Sequence, residues 1–271
     1  MLGAIIGDTV GSVYEFNNIK IIDFPLFSEM SNYTDDSIMT MAVANWLLKD
    51  PTHGMDTLEA SLLSFAKKYP CPMGGYGGMF RRWLFNPSDK REPYNSWGNG
   101  SAMRVSAVGW MFDTLEETER VAGLSAAITH NHPEGIKGAQ STAAAIFMAR
   151  NGRTKKEIKD YISTKYDYDL NRTCDEIRPV YGWEGSCQGT VPEAIVAFLD
   201  STDFESAIRL AVSLGGDSDT LACITGGIAE AFYKEIPDSI AMKSWSLIPE
   251  DFKAILKEME EKSCYRLPQV C

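Results

Sequence analysis

Residues 34–49 read TDDSIMTMAVANWLLK, and this stretch has the pattern of a capped amphipathic helix. After its first turn, apolar side chains recur at helical spacing, so one side of the helix is largely apolar. Thr34 or Asp35 can cap the first turn, and the charge of Asp36 suits the positive end of the helix dipole. The stretch therefore predicts a helix that begins at an acidic turn.

The same helical patterning dominates the rest of the chain. Further helices are predicted over residues 58–69, 115–129, 138–150, 192–199, 204–214, 219–234 and 249–262. Runs of alternating β-branched residues, which are typical of strands, are nearly absent. With no linker and no internal repeat in view, we predict an all-α fold of ten or more helices, with residues 1–271 forming a single domain.

A glycine repeat marks the beginning of the chain. Gly3, Gly7 and Gly11 recur at every fourth position, so they share one face of the first helix. Residues without a side chain let two helices approach closely, and close packing explains the repeat better than a functional role does.

Composition excludes several classes of protein. The chain has 271 residues, of which 26 are Lys or Arg and 37 are Asp or Glu, which gives a net charge of −11. Such a chain is a poor candidate for a nucleic-acid binder that uses a wide basic surface. Hydrophobic residues make up 44% of the sequence, which excludes a disordered chain.

Neither membrane insertion nor export is expected. The longest stretch without Asp, Glu, Lys or Arg, residues 121–133, contains Gly, Thr, His, Asn and Pro and is too short to span a bilayer. Residues 1–7 are apolar but lack the basic flank of a signal peptide. No C-x-x-C pair is present, and we expect free thiols in a reducing cytoplasm rather than disulfides. The cysteines are Cys71, Cys174, Cys187, Cys223, Cys264 and Cys271.

Two acidic clusters stand out, at residues 34–36 and at residues 217–220. Each lies where a loop leads into a helix, so each taken alone is explained as a helix cap. Together they offer carboxylates and threonine hydroxyls, the hard oxygen donors that suit Mg²⁺, Mn²⁺ or Ca²⁺. If the clusters meet, two cations about 3.5–4 Å apart would offset their mutual repulsion. Sequence spacing does not show whether they meet.

Six short motifs, in order along the chain, resemble those of the ADP-ribosylglycohydrolase family. They are Gly3-Ala4-Ile5-Ile6-Gly7-Asp8-Thr9-Val10-Gly11 with Glu15; Tyr33-Thr34-Asp35-Asp36-Ser37; Gly98-Asn99-Gly100-Ser101-Ala102-Met103-Arg104; Thr129-His130; Gly189-Thr190-Val191-Pro192; and Gly215-Gly216-Asp217-Ser218-Asp219-Thr220. The resemblance implies a compact orthogonal bundle of helices with two Mg²⁺ ions, sometimes Mn²⁺, at the bottom of a cleft. The metal ligands that it implies are Thr34, Asp35, Asp36, Asp217, Asp219 and Thr220.

The resemblance also implies a reaction, the hydrolysis of an N- or O-glycosidic bond at the distal ribose of ADP-ribose. The catalytic residues that it implies are Asp36 or Asp219, either of which could take a proton from water, and Glu15. Glu15 matches a glutamate that serves some family members as a metal ligand and gate. Without the resemblance, Glu15 reads equally well as a surface carboxylate.

The remaining predicted residues would hold the rest of the substrate. By resemblance, Gly98, Asn99, Gly100 and Ser101 form a phosphate-binding turn. Trp97, directly before the turn, is suited to stacking on adenine, whereas Tyr76 and Tyr94 are weaker candidates for this role. His130 matches a family histidine near the distal ribose or the phosphates.

Two other functions stay open at this point. One is a catalytically silent relative that binds ADP-ribose or serves as a structural protein, although the intact acidic set favours an enzyme. The other is hydrolysis of a similar nucleotide at phosphorus, which would release AMP instead of ADP-ribose. The expected partner is ADP-ribose or an ADP-ribosylated protein, and we expect a cytoplasmic monomer that contacts neither nucleic acid nor membrane.

Overall fold

The structure, a computed structural model, describes residues 1–87 and 91–270. Its helices are α1 Leu2–Gly11, α2 Asp35–Lys49, α3 Met55–Lys68, α4 Gly78–Leu84, α5 Gly100–Met103, α6 Val108–Met111, α7 Leu115–Ala127, α8 Pro133–Arg150, α9 Lys155–Tyr166, α10 Cys174–Ile177, α11 Cys187–Asp200, α12 Phe204–Ser213, α13 Ser218–Tyr233, α14 Asp238–Leu247 and α15 Glu250–Lys262. Among these described residues, strand-like pairing is confined to isolated bridges between Thr34 and Met73 and between Gly98 and Ser186. The prediction of an all-α fold is confirmed.

The glycine repeat packs α1 directly against α13. A methyl group added at Gly7 would lie 1.9 Å from the carbonyl oxygen of Ala222, and one added at Gly3 would lie 2.4 Å from that of Gly226. A methyl group added at Gly11 would clash with the backbone of the first turn of α13. Close helix packing therefore accounts for the repeat, as predicted. The contact places the end of α1 beside the start of α13, where the second acidic cluster lies.

The helix predicted from the acidic turn begins where expected. The side chain of Thr34 accepts a hydrogen bond from the backbone N–H of Asp36 at 3.2 Å, and α2 follows it directly. Helices α8 and α11 each begin five residues earlier than predicted. Helix α8 starts at Pro133, where a proline without an N–H is well tolerated, and α11 starts at Cys187 because Ser186 caps it. Pro192, predicted to open a helix, lies within one.

A continuous cluster of buried apolar side chains extends through the bundle. Of the six cysteines, Cys71, Cys174, Cys187, Cys223 and Cys264 are free thiols, as predicted, and Cys271 lies outside the described residues. In the part of the chain that the structure describes, no helix is both long and apolar enough to cross a membrane.

Candidate active site

A cleft of about 660 Å³ opens where α2, α5 and α13 begin. This volume is within the range of about 300–1,000 Å³ that is typical of small-molecule sites. The cleft combines carboxylates, a glycine-rich turn and aromatic side chains. Its lining includes Glu15, Asp35, Asp36, Trp97, Gly98, Asn99, Gly100, His130, Asp217, Asp219 and Thr220.

The two acidic clusters meet in this cleft. Carboxylate oxygens of Glu15, Asp217 and Asp219 lie within 4.8 Å of one another, an arrangement that could hold a metal ion. Asp35 and Asp36, from the start of α2, line the same cleft. Helix α13 packs against both α1 and α2, which brings close together residues that are about 180 positions apart in the sequence.

Burial is the main cause that raises the pKa values of the carboxylates in the cleft. Burial, reinforced by neighbouring negative charges, raises the pKa of Asp35, Asp36 and Asp219 well above the ordinary aspartate value of 3.8. Burial and the charges of Asp217 and Asp8 raise the pKa of Glu15 to about 7. Without cations the cluster would therefore retain protons, and divalent cations could take their place.

The donor set fits a hard divalent cation. Oδ1 of Asp36 is buried and accepts no hydrogen bond from the described residues. A buried carboxylate oxygen without a donor is costly unless a cation occupies its lone pairs. The nearby donors are carboxylates and the hydroxyl of Thr220, a combination that suits Mg²⁺ or Mn²⁺ better than zinc or copper.

Asp8 holds the start of α2 in place through hydrogen bonds, a role that we did not predict from the sequence. Its carboxylate accepts hydrogen bonds from N–H and Oγ1 of Thr34 at 2.9 and 2.7 Å. It also accepts from N–H of Ser37 at 3.1 Å and from the Ser37 hydroxyl. Asp8 thereby fixes the start of α2. The signal was available, because a lone acid in an otherwise apolar buried helix needs a partner.

Thr34, predicted as a metal ligand, is fully buried and does not line the cleft. Its hydroxyl donates to Asp8 and accepts from the N–H of Asp36. One lone pair of this hydroxyl is therefore left for any other interaction.

Asn99 and Asn18 hold the second acidic cluster in place. Nδ2 of Asn99 donates to Oδ2 of Asp217 at 2.7 Å. The amide of Asn18 pairs with Gly216 twice, accepting from its N–H at 2.7 Å and donating to its carbonyl at 2.9 Å. The Asn18 amide also donates to the carbonyl of Glu15 at 2.9 Å. One amide thus joins the loop of Glu15 to the turn that carries Asp217.

Comparison with known proteins agrees with this geometry. The sequence pattern of the ADP-ribosylglycohydrolase family matches residues 1–262. The chain belongs to the ADP-ribosylglycohydrolase family. Members of this family are hydrolases that act on glycosyl bonds, and they depend on metal ions.

Individual relatives cover most of the chain. ADP-ribosylhydrolase ARH3 of Mus musculus is 28% identical over 317 residues, covering 88% of this chain and 84% of that protein. ADP-ribosylarginine hydrolase Tri1 of Pseudomonas putida is 24% identical, covering 91% and 73%. A solved structure described as an ADP-ribosylglycohydrolase-related protein complex superposes with a TM-score of 0.73 at 21% identity, covering 96% of each chain, and is similar in fold.

The predicted phosphate turn of this family member already makes several hydrogen bonds within the protein. N–H of Gly98 donates to Oγ of Ser96 at 3.1 Å, and N–H of Asn99 donates to the carbonyl of Gly185 at 2.9 Å. Ser101 is buried, and its hydroxyl donates to the carbonyl of Gly135 at 2.7 Å. Of the four predicted residues, Gly98, Asn99 and Gly100 line the cleft and Ser101 does not.

Aromatic side chains form the opening of the cleft. Trp97 is 49% exposed and packs against His132, with 5.4 Å between ring centres. The sequence analysis missed Phe16 and Trp183, which also line the cleft and are 70% and 64% exposed. Large exposed aromatics at a cleft are suited to stacking on a flat ligand, but nothing in their local sequence distinguishes them from ordinary surface residues.

Proposed function

We propose that this protein is a metal-dependent hydrolase that cleaves the N- or O-glycosidic bond at the distal ribose of ADP-ribosylated side chains or O-acyl-ADP-ribose. Its product would be free ADP-ribose. The observation that carries the proposal is the meeting of two acidic clusters and Glu15 at one cleft. Family membership supports the class of reaction.

Two Mg²⁺ ions, or Mn²⁺, would be held by the oxygen donors at the starts of α2 and α13. At the start of α2 the donors would be Asp35, Asp36 and Thr34, the last through the one lone pair left on its hydroxyl. At the start of α13 they would be Asp217, Asp219 and Thr220. When bound, such ions supply charge neutralisation and Lewis-acid activation at the reacting centre. Two observations support this assignment. Oδ1 of Asp36 accepts no hydrogen bond from the described residues, and the carboxylates line the cleft.

The chain's own residues have three tasks in this proposal. Asp36 or Asp219 accepts the proton of the attacking water, as a general base within reach of the cleft. Glu15 is half-buried beside Asp217 and Asp219 and adds a third carboxylate from the loop that follows α1. The aromatic rings of Trp97 and Trp183 stack on the adenine at the opening of the cleft, so that the distal ribose reaches the carboxylates.

The test is ADP-ribose release from arginine-linked, serine-linked and O-acetyl-ADP-ribose, each assayed with Mg²⁺ and with EDTA. We expect Mg²⁺-dependent release from at least one substrate, which would also identify the linkage. Asp219→Asn should abolish release, because it removes a cluster carboxylate. The matched control Asp113→Asn, at an exposed acid outside the cleft, should retain full activity.

Two results would contradict the proposal. Formation of AMP instead of ADP-ribose would indicate cleavage at phosphorus. Turnover that persists in EDTA, or in Asp219→Asn, would show that the acidic cluster is not the reacting centre.

A further inference from the structure

Arg104 is a buried positive charge without a carboxylate partner among the described residues. It is fully buried, and its Nη2 donates to the carbonyl of Ser125 at 2.8 Å and to Oγ1 of Thr129 at 2.9 Å. Its guanidinium lies 5.6 Å from the ring centre of Phe80. Burial lowers the pKa of Arg104 only to about 10, so it remains a cation at neutral pH.

Thr129 connects Arg104 to His130 through its hydroxyl. Its Oγ1 lies 2.7 Å from Nδ1 of His130. A guanidinium can only donate, so Thr129 accepts from Arg104 and has its single hydroxyl proton left to give. Tyr94 also interacts with Thr129, but an imidazole lone pair is a stronger acceptor than a phenol.

The other ring nitrogen of His130 faces the cleft. His130 lines the cleft, and a methyl group added at Gly100 would lie 3.2 Å from Nε2. The described residues offer Nε2 no hydrogen-bond partner. When Nδ1 of a neutral imidazole accepts a hydrogen bond, the ring proton is on Nε2. This proton would point at the space beside the turn formed by residues 98–101.

We propose that Arg104 and Thr129 are positioning residues that fix His130 in the neutral Nε2–H tautomer, so that it donates a hydrogen bond to an anionic oxygen in the cleft. The identity of that oxygen, a diphosphate oxygen of ADP-ribose, rests on the proposed function. The tautomer itself does not, because we infer it from contacts within the protein alone.

The first test is the tautomeric state, read from long-range ¹H–¹⁵N spectra of the imidazole nitrogens. The chain has only three histidines, so His53 and His132 serve as internal references. We expect Nε2 of His130 to carry the proton in the wild-type protein without metal or nucleotide. A proton on Nδ1 would overturn the proposal. Because no substrate is present, this result is independent of whether the protein cleaves ADP-ribose.

The second test compares Thr129→Val with Thr129→Ser. The valine is of similar size but cannot donate, so we expect loss of the single tautomer and about tenfold weaker ADP-ribose binding by calorimetry. The serine restores the hydroxyl and should restore both. Thr118→Val, which removes a buried hydroxyl that donates to Thr114 on the same helix, is the matched control and should change neither.

The proposal would be overturned if Thr129→Val kept the wild-type tautomer and wild-type affinity. It would also be overturned if Thr118→Val weakened binding as much as Thr129→Val, since the effect would then be general loss of packing. If Thr129→Val does not fold, the wild-type spectrum and Thr129→Ser still decide the tautomer.

Discussion

The Asp36 carboxylate, a proposed metal ligand, is expected to lower the stability of the metal-free protein. None of the residues that the structure describes donates to its buried Oδ1, and burial and neighbouring acids raise its pKa. We expect Asp36→Asn to raise the melting temperature of the metal-free protein by a few degrees, because it removes a buried group that must either carry a repelling charge or bind a proton. The same change should abolish the stabilisation that Mg²⁺ gives the wild type. Thermal melts in EDTA and in Mg²⁺ measure both effects, and an undiminished Mg²⁺ shift would contradict the assignment.

The same cluster predicts how the metal-free protein responds to pH. Burial raises the pKa of Asp8 to about 6, and that of Glu15 is about 7, against ordinary values of 3.8 and 4.5. These groups bind more protons when folded than when unfolded, so the free energy of unfolding falls as pH rises through this window. In EDTA, the melting temperature should therefore drop between about pH 4 and pH 7, from the unfolded to the folded pKa values of these groups. A melting temperature that rises over this range would contradict the sign.

At the scale of elements, the contact between α1 and α13 positions the site. A methyl group at Gly7 would lie 1.9 Å from the carbonyl oxygen of Ala222, so Gly7→Ala must push the two helices apart. We expect this change to lower the free energy of unfolding by roughly 3 kcal/mol or more, measured by urea unfolding. In the control Gly78→Ala, nothing lies within 4 Å, and a helical alanine should be neutral or stabilising. Equal effects at both positions would contradict the packing argument.

The loop that carries Glu15 is joined to α13 through Asn18. Asn18→Ala removes the paired hydrogen bonds with Gly216, and the turn before Asp217 should loosen. We expect a several-fold higher Mg²⁺ concentration for half-maximal activity, with little change in melting temperature because the loop is exposed. Asn17→Ala, at the exposed neighbouring position, is the control and should leave Mg²⁺ dependence unchanged. An unchanged Mg²⁺ requirement in Asn18→Ala would show that this amide does not position the site.

The sequence predicts a structural feature well when that feature depends only on residues that are neighbours in the chain. The cap at Thr34 and the glycine repeat of α1 depend on neighbours in sequence, and both are present as predicted. The meeting of the two clusters depends on packing between distant helices, so patterns alone left it open. Trp183 was missed for the same reason, because its role appears only when the cleft is in place. Asp8 could have been found from the sequence, as a lone acid in an apolar helix, but its partners on α2 could not.

Across the whole molecule, charge is unevenly arranged around the cleft. The chain has a net charge of −11, and at least five carboxylates line the site, yet an ADP-ribose substrate is itself an anion. To bind such a substrate, the cleft needs cations beside its carboxylates and hydrogen-bond donors beside the phosphates of the substrate. Bound metal ions would serve the first requirement, and His130 backed by buried Arg104 would serve the second.

Mn²⁺ electron paramagnetic resonance can show whether the starts of α2 and α13 form one site for two metal ions. Two Mn²⁺ ions about 3.5–4 Å apart give a spin-coupled spectrum that isolated ions do not. We predict two bound Mn²⁺ per chain with a coupled spectrum, and loss of the coupling in Asp219→Asn. A single uncoupled ion, or the same coupled spectrum in Asp219→Asn, would contradict the account.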